Sequence, residues 1–143
     1  MHREVTDMKE LSELYDFAGK SGVRVDSFRL SGCKSLSLCD DEGGCFIAMD
    51  PFCPTTCAEE RVRLAHELGH CLAGAFYDQS STVCDRRRAE HRADVFAIRL
   101  LIKPDELCKA LKGGTTQIWE LAELFNVTEE FMSKAVEYYE NNG

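Results

Sequence analysis

The chain has 143 residues, of which 44% are hydrophobic and 29% are charged, and its formal net charge is −8. These values exclude a disordered tail and indicate one ordinary globular domain, long enough to bury its own core. The acidic balance also argues against a protein that follows nucleic-acid phosphates, because such a surface is basic.

The first 50 residues predict one helix followed by a small sheet. Asp7 and Glu10 form a capping-box pair, and the apolar residues behind them share one helix face. An alternating segment then predicts a strand, and two apolar runs around an acidic turn that ends in glycine predict a hairpin. The expected bounds are 7–19 for the helix, 23–30 for the strand, and 36–38 and 45–49 for the hairpin.

From residue 56 onward the pattern is helical. Thr56 and Glu59 form a second capping-box pair, and Pro104 occupies the first turn of a later helix. Thr128 is the expected N-cap of the last helix. The expected helices span 56–75, 85–102, 104 to the glycine pair at 113–114, 117–125 and 129–139.

Strands followed only by helices indicate an α+β fold with a short antiparallel sheet and a mostly helical C-terminal portion. No repeat, low-complexity tract or proline-rich linker divides the chain. We therefore expect a single domain over residues 1–143. The helix and sheet occupy about 1–50, two central helices about 56–103, and the C-terminal helices about 104–140.

The eight cysteines allow two interpretations, a disulfide framework in a secreted protein or a set of reduced thiols. The polar opening segment has no apolar leader, and no apolar run is long enough for a membrane span. We therefore expect reduced cysteines in a cytoplasmic protein without membrane contact. A structural zinc site among Cys33 to Cys57 is less favoured, because these cysteines form no CxxC pair.

The chemistry is carried by His66-Glu67-Leu68-Gly69-His70, an HExxH sequence inside the helix that begins near Thr56. Residues four apart on a helix are separated by about 40° around its axis, so both imidazoles can reach one ion. Glu67 lies on the flank of that face and can act as general base on a water molecule. The alternative is a histidine pair with a purely structural role.

A hydrolytic zinc site needs a third protein ligand and one open position. Glu90 and His91 are both downstream candidates. Glu90 and Asp94 share one helix face, which allows Glu90 to bind the metal while Asp94 orients a zinc-bound histidine. We therefore assign Glu90 as the third ligand and Asp94 as its supporting residue, and we interpret His91 as a surface histidine.

Two linked motifs carry a family resemblance. The HELGH sequence is followed by residues 90–104, which read E-x-x-A-D-x-F-A-x-x-L-L-I-x-P. This pattern resembles the ImmA/IrrE family of zinc metallopeptidases over residues 64–104, and more loosely over 118–131. Asp94 stands where the family usually has Asn, and Lys103 separates Ile102 from Pro104. An aspartate can still accept a hydrogen bond from an imidazole.

The resemblance implies a small zincin-like domain that binds Zn²⁺ and cleaves proteins in a regulatory role. Members are commonly encoded by phages and mobile elements, and they cleave or inactivate a helix-turn-helix repressor. The resemblance therefore implies a transcriptional repressor as substrate, and we expect that repressor to be a separate protein. Tyr77 is a candidate donor to the oxyanion of the reaction.

The C-terminal segment over residues 121–128 is similar to the corner of a helix-turn-helix. From Pro104 onward, however, eight acidic residues stand against three basic ones, a net of 3 − 8 = −5. DNA would repel this segment, so we expect it to pack structurally or to contact a repressor, with no direct binding of nucleic acid.

The sequence thus predicts a zinc-dependent endopeptidase. One alternative is a zinc-stabilised regulator that binds and inactivates a repressor or antitoxin without cutting it. The other is a structural protein in which His66 and His70 bind no metal. The sequence leaves the oligomeric state open.

Overall fold

Three strands and six helices make up the part of the chain that the computed structural model describes, namely residues 10–53, 56–74, 76 and 80–142. The elements in chain order are α1 (Leu11–Lys20), β1 (Arg24–Ser27), β2 (Ser35–Cys39), β3 (Cys45–Met49), α2 (Cys57–Leu72), α3 (Val83–Leu101), α4 (Pro104–Lys112), α5 (Ile118–Phe125) and α6 (Glu129–Asn142). The predicted α+β class is confirmed.

The sheet has the order β1-β3-β2, so β2 is an edge strand. The predicted hairpin is present, with β2 antiparallel to β3 and Cys39 opposite Cys45 at its closed end. The sheet differs from the prediction in one respect, because β1 runs parallel to β3 and the sheet is therefore mixed. The chain leaves β1 at one edge, crosses to the other edge as β2 and returns through the middle as β3. Alternation within β1 does not specify the direction of its partner.

The inner face of the sheet and the helices share one core. Ile47 and Met49 of β3 are buried, as are Leu64 and Leu68 of α2 and Leu14 of α1. These side chains exclude water from the sheet-facing side of α2 and hold that helix in place.

Several helix ends differ from the expected ones by a few residues, and local capping explains the differences. α1 begins after Glu10, whose amide donates to the carboxylate of Glu13 at 3.2 Å; the expected cap Asp7 lies outside the described residues. α3 begins two residues early because Thr82 and Asp85 form a reciprocal capping box. Gly74, at φ 63°, follows the early end of α2.

Other predicted caps are present. The amide of Glu59 donates to the Thr56 hydroxyl at 3.1 Å, and that of Phe131 donates to Thr128 at 3.2 Å. Pro104 occupies the first turn of α4. The helix boundaries that depend on these local signals were therefore predictable.

A buried arginine connects α2 to the C-terminal helices. Arg61 is fully buried, and its Nη1 donates to the carbonyl of Phe125 at 2.8 Å and to that of Asn126. Those carbonyls belong to the end of α5, where Asn126 adopts the left-handed conformation with φ 54°. The guanidinium thus satisfies carbonyls that the helix end leaves without partners, and it ties α5 to the N-terminal half of α2.

The expectation that all eight cysteines are reduced is wrong for one pair. Cys45 of β3 and Cys71 of α2 form a disulfide, and their Cα atoms are 5.7 Å apart. That Cα–Cα distance suits a disulfide. The two cysteines are 26 positions apart in the sequence, so only the packing of β3 against α2 brings them together. The other six cysteines are free thiols. Among the described helices, none has the length and apolar character needed to cross a bilayer.

Gly69 allows a close approach between α2 and α3. A Cβ atom added at Gly69 would lie 2.6 Å from the carbonyl oxygen of Ala93 and 2.7 Å from its Cα. Both contacts are with backbone, which cannot move aside as a flexible side chain can. Glycine at this position therefore sets the distance between the two helices.

We expect Gly69→Ala to separate α2 from α3 and to lower the free energy of unfolding by about 1–3 kcal/mol. Urea denaturation would measure the change. The matched control is Gly19→Ala, also in a helix, where an added Cβ meets nothing within 4 Å. That control should be neutral or slightly stabilising. Equal stability of the Gly69→Ala and Gly19→Ala proteins would contradict the assigned role of Gly69.

Candidate metal centre

Three side chains from α2 and α3 converge on one point. Nε2 of His66 lies 3.2 Å from Nε2 of His70 and 3.1 Å from Oε1 of Glu90. Nε2 of His70 lies 2.9 Å from Oε2 of Glu90. The structure thus brings together the three residues that the sequence predicts as ligands, and this group could hold a metal ion.

The donor set and its spacing fit zinc. A tetrahedral zinc ion with bonds of about 2.0–2.1 Å separates its ligand atoms by about 3.4 Å, close to the distances between these side chains. Two imidazole nitrogens and one carboxylate oxygen form a ligand set found in zinc peptidases.

Asp94 lies directly behind His66. Its Oδ1 accepts a hydrogen bond from Nδ1 of His66 at 2.8 Å, which leaves the lone pair of the neutral imidazole on Nε2. On the other side of the carboxylate, Nζ of Lys134 in α6 lies 3.8 Å from Oδ2. Asp94 therefore occupies the position expected of a residue that orients a metal-binding histidine.

The electrostatics of this group favour positive charge. Burial acts to lower the pKa of His66, but the hydrogen bond to Asp94 and the charges of Asp94, Glu90 and Glu67 outweigh it, so the pKa is raised. Burial acts to raise the pKa of Asp94, but the hydrogen bond and charge of His66, with the charge of Lys134, lower it overall. The raised pKa of His66 reflects a concentration of carboxylates that a bound cation would neutralise, whereas the lowered pKa of Asp94 reflects its positively charged neighbours.

Glu67 is buried beside this cluster and is held by the sheet. Its side chain is 8% exposed, and its Oε2 accepts a hydrogen bond from the hydroxyl of Ser35 at 2.6 Å. Ser35 is the first residue of β2. This hydrogen bond fixes one carboxylate oxygen and leaves Oε1 available to a water molecule or substrate.

A cleft of about 680 Å³ opens over the cluster. One wall is β2 with the residues before it, over 33–38, and the other is formed by the metal-centre residues with Arg63 and Phe76. A smaller cavity of about 240 Å³ adjoins it through Arg63, His66 and Glu90. The cleft is large enough for several residues of an extended polypeptide.

Two remaining predictions concern His91 and Tyr77. His91 is exposed and does not belong to the cluster of possible ligands, which agrees with its interpretation as a surface residue. Tyr77, the candidate donor to the oxyanion, lies outside the described residues.

The comparison with known families agrees with this geometry. Residues 55–137 match the model of the IrrE N-terminal-like domain, which defines a family of peptidases, and the match covers more than half of the chain. The chain belongs to the IrrE N-terminal-like peptidase family. No curated protein matches it, and neither does any solved structure. His66, Glu67, His70, Glu90 and Asp94 all lie inside the matched region.

Two residues beside the centre of this IrrE-like domain were missed in the sequence. Ser35 lies before the matched region and reaches Glu67 from another element, so no local pattern signals it. Arg63 could have been found, because it stands three positions before His66 and shares its helix face. Arg63 borders both cavities, where a guanidinium could contact a carboxylate or an oxyanion.

We expect Asp94→Ala to weaken zinc binding about 10- to 100-fold, because His66 loses the carboxylate that orients its ring. Asp94→Asn should retain much of the affinity, since the amide oxygen still accepts the hydrogen bond. Competition against a chromogenic chelator would measure the dissociation constants. The matched control is Asp16→Ala, at an exposed position of α1. A wild-type protein without a His-tag that binds no zinc would refute the metal site itself.

Proposed function

We propose that the protein is a zinc-dependent endopeptidase that cleaves a helix-turn-helix repressor encoded by a phage or mobile element. The observation that supports this most strongly is the convergence of His66, His70 and Glu90 beside a cleft that also contains the Glu67 carboxylate. A purely structural metal site would have no need of an open cleft or of a carboxylate held in it.

His66, His70 and Glu90 would hold the zinc ion, and their number leaves a coordination position for other groups. When bound, zinc supplies Lewis acidity to the attack of water on a peptide carbonyl. The hydrogen bond between Asp94 and His66 keeps that imidazole in the tautomer suited to metal binding.

Glu67 is the general base of the proposed reaction. Its Oε1 takes a proton from the attacking water and later delivers it to the nitrogen of the departing amine. Ser35 holds Oε2 of the same carboxylate at 2.6 Å, so the carboxylate does not have to be ordered during the reaction. The base is therefore oriented by β2, which is also a wall of the cleft.

The position of β2 at the edge of the sheet is consistent with a polypeptide substrate. Within the described residues β2 pairs on one side only, with β3, and it borders the cleft. An extended peptide could hydrogen-bond to the free side of such a strand, while the exposed side chains of Leu36 and Leu38 offer apolar contacts. Backbone pairing holds a peptide bond in an extended form and does not depend on its sequence.

The repressor and the genetic setting are proposed from the family. The HELGH sequence and residues 90–104 resemble the ImmA/IrrE metallopeptidases, whose members act on such repressors. The cytoplasmic location is proposed from the six free cysteines, which are typical of a reducing compartment; the Cys45–Cys71 disulfide is the feature that argues against it.

We expect Glu67→Gln to bind zinc as the wild type does while losing cleavage, because the amide cannot accept the proton from water. Mass spectrometry would follow a repressor encoded near the gene, and unfolded casein as a general substrate, with zinc content measured in parallel. Cleavage by Glu67→Gln at the wild-type rate would contradict the assignment of the base. A repressor that the wild type binds but leaves intact would instead support the non-proteolytic regulator.

We expect Ser35→Ala to lower kcat about tenfold, which corresponds to about 1.4 kcal/mol for one hydrogen bond to a charged group. KM and zinc content should change little, and Ser35→Thr should restore most of the rate because it keeps the hydroxyl. Ser37→Ala, two positions along the same strand, is the matched control. Equal kcat values for the Ser35→Ala and Ser37→Ala proteins would show that Ser35 does not orient the base.

A further inference from the structure

Another cavity, on the far side of α3, has a basic lining. It has a volume of about 470 Å³ and lies between α3, the residue that ends α2, and the last turns of α6. Arg92, Arg99 and His91 line it, together with the partly buried side chains of Phe96 and Tyr138. Among the described residues that line this cavity none is acidic, although the chain carries a net charge of −8.

The two arginines of this basic cavity are available to a ligand. Within the described part of the chain, neither the Arg92 nor the Arg99 guanidinium makes a hydrogen bond or an ion pair. Both are exposed. Five arginines nevertheless lie in this one helix, at positions 86, 87, 88, 92 and 99. Guanidinium groups bind carboxylates in a bidentate fashion, and the aromatic walls suit apolar groups beside them.

The basic cavity is connected to the metal centre. A cavity of about 310 Å³ shares His91, Val95 and Tyr138 with it, and this connecting cavity also touches Asp94 and Lys134. Asp94 and Lys134 in turn border the small cavity beside His66 and Glu90. Adjoining cavities thus lead from the metal centre around α3 to the two arginines.

The length of this route restricts what can occupy both ends. Glu90 and Arg99 are nine residues apart, which is about 13 Å along the helix axis and roughly half a turn around it. An extended chain covers about 3.3 Å per residue, so at least about four residues are needed between the two points. A protein segment can span this distance, whereas a di- or tripeptide cannot.

We propose that the basic cavity is an exosite for an acidic segment of the polypeptide substrate. This inference rests on the proposed peptidase function and adds a substrate class to it. The substrate would carry glutamate or aspartate at least about four residues from the cleaved bond, with apolar residues nearby. Binding there raises affinity for the substrate without contributing to the chemical step.

The test measures binding first, on the Glu67→Gln protein, so that no cleavage is needed. The probe is a fluorescein-labelled peptide of alternating glutamate and leucine, and its neutral partner has glutamine in place of glutamate. Fluorescence anisotropy at low salt gives Kd values for both. We expect the double change Arg92→Gln and Arg99→Gln to weaken binding of the acidic peptide about tenfold, as two exposed ion pairs allow.

The matched control is Arg87→Gln, an exposed arginine of the same helix that does not line the basic cavity. It should leave Kd for the acidic peptide unchanged, and the neutral peptide should bind equally weakly to all variants. Equal Kd values for the double variant and the control would overturn the exosite. Binding of inorganic phosphate as tight as that of the acidic peptide would also overturn it, because the site would then serve a small anion.

A cleavage experiment separates this inference from the proposed function. Two casein-derived peptides with the same cleavable sequence would differ only in an acidic or a glutamine-rich tail. We expect the double variant to lose about tenfold in kcat/KM on the acidic-tailed peptide and nothing on the other. If the double variant lost no more activity on the acidic-tailed peptide than on the other, the exosite would be refuted and the proposed peptidase function would stand. If the wild type cut neither peptide while the arginines still bound the acidic probe, the proposed function would fail alone.

Discussion

The distance between α2 and α3 is the constraint on which the metal centre depends. His66 and His70 come from one helix and Glu90 from the other, yet their donor atoms lie 2.9–3.2 Å apart. Such spacing requires the two backbones to touch, and they touch at Gly69, where a Cβ would lie within 2.6 Å of Ala93. Glycine inside the HExxH sequence is therefore part of the ligand geometry, because any larger residue would move the Glu90 carboxylate away.

The close approach of α2 and α3 also concentrates negative charge, and nearby positively charged groups balance it. Carboxylates of Glu67, Glu90 and Asp94 surround the imidazole of His66 and raise its pKa despite burial. Lys134, carried by α6, stands behind Asp94 at 3.8 Å. α6 follows α5, whose end is tied to α2 by the buried Arg61. The C-terminal helices thus contribute to the site through charge and position, although none of their described residues belongs to the group that could hold a metal ion.

The sequence predicted what depends on residues close together in the chain. Spacing alone placed His66 and His70 on one face of a helix, and Glu90 and Asp94 on one face of another. The meeting of those two faces had to be inferred from the chemistry of zinc and from the family. The parallel pairing of β1, the Cys45–Cys71 disulfide and the hydrogen bond from Ser35 to Glu67 all join distant segments. No local propensity or spacing contains that information, because each contact forms only when separate elements pack together.

The same separation explains why the two sides of α3 differ in character. One face carries Glu90 and Asp94, whose carboxylates pair with the histidines of the candidate metal centre and, in the case of Asp94, also with Lys134. The opposite face carries Arg92 and Arg99, which have no such partner in the described part of the chain. Solubility does not explain the arginines on this face, because acidic side chains would make an acidic protein equally soluble. The unpaired arginines are better explained by a ligand that arrives from outside, and adjoining cavities connect their position to the metal centre.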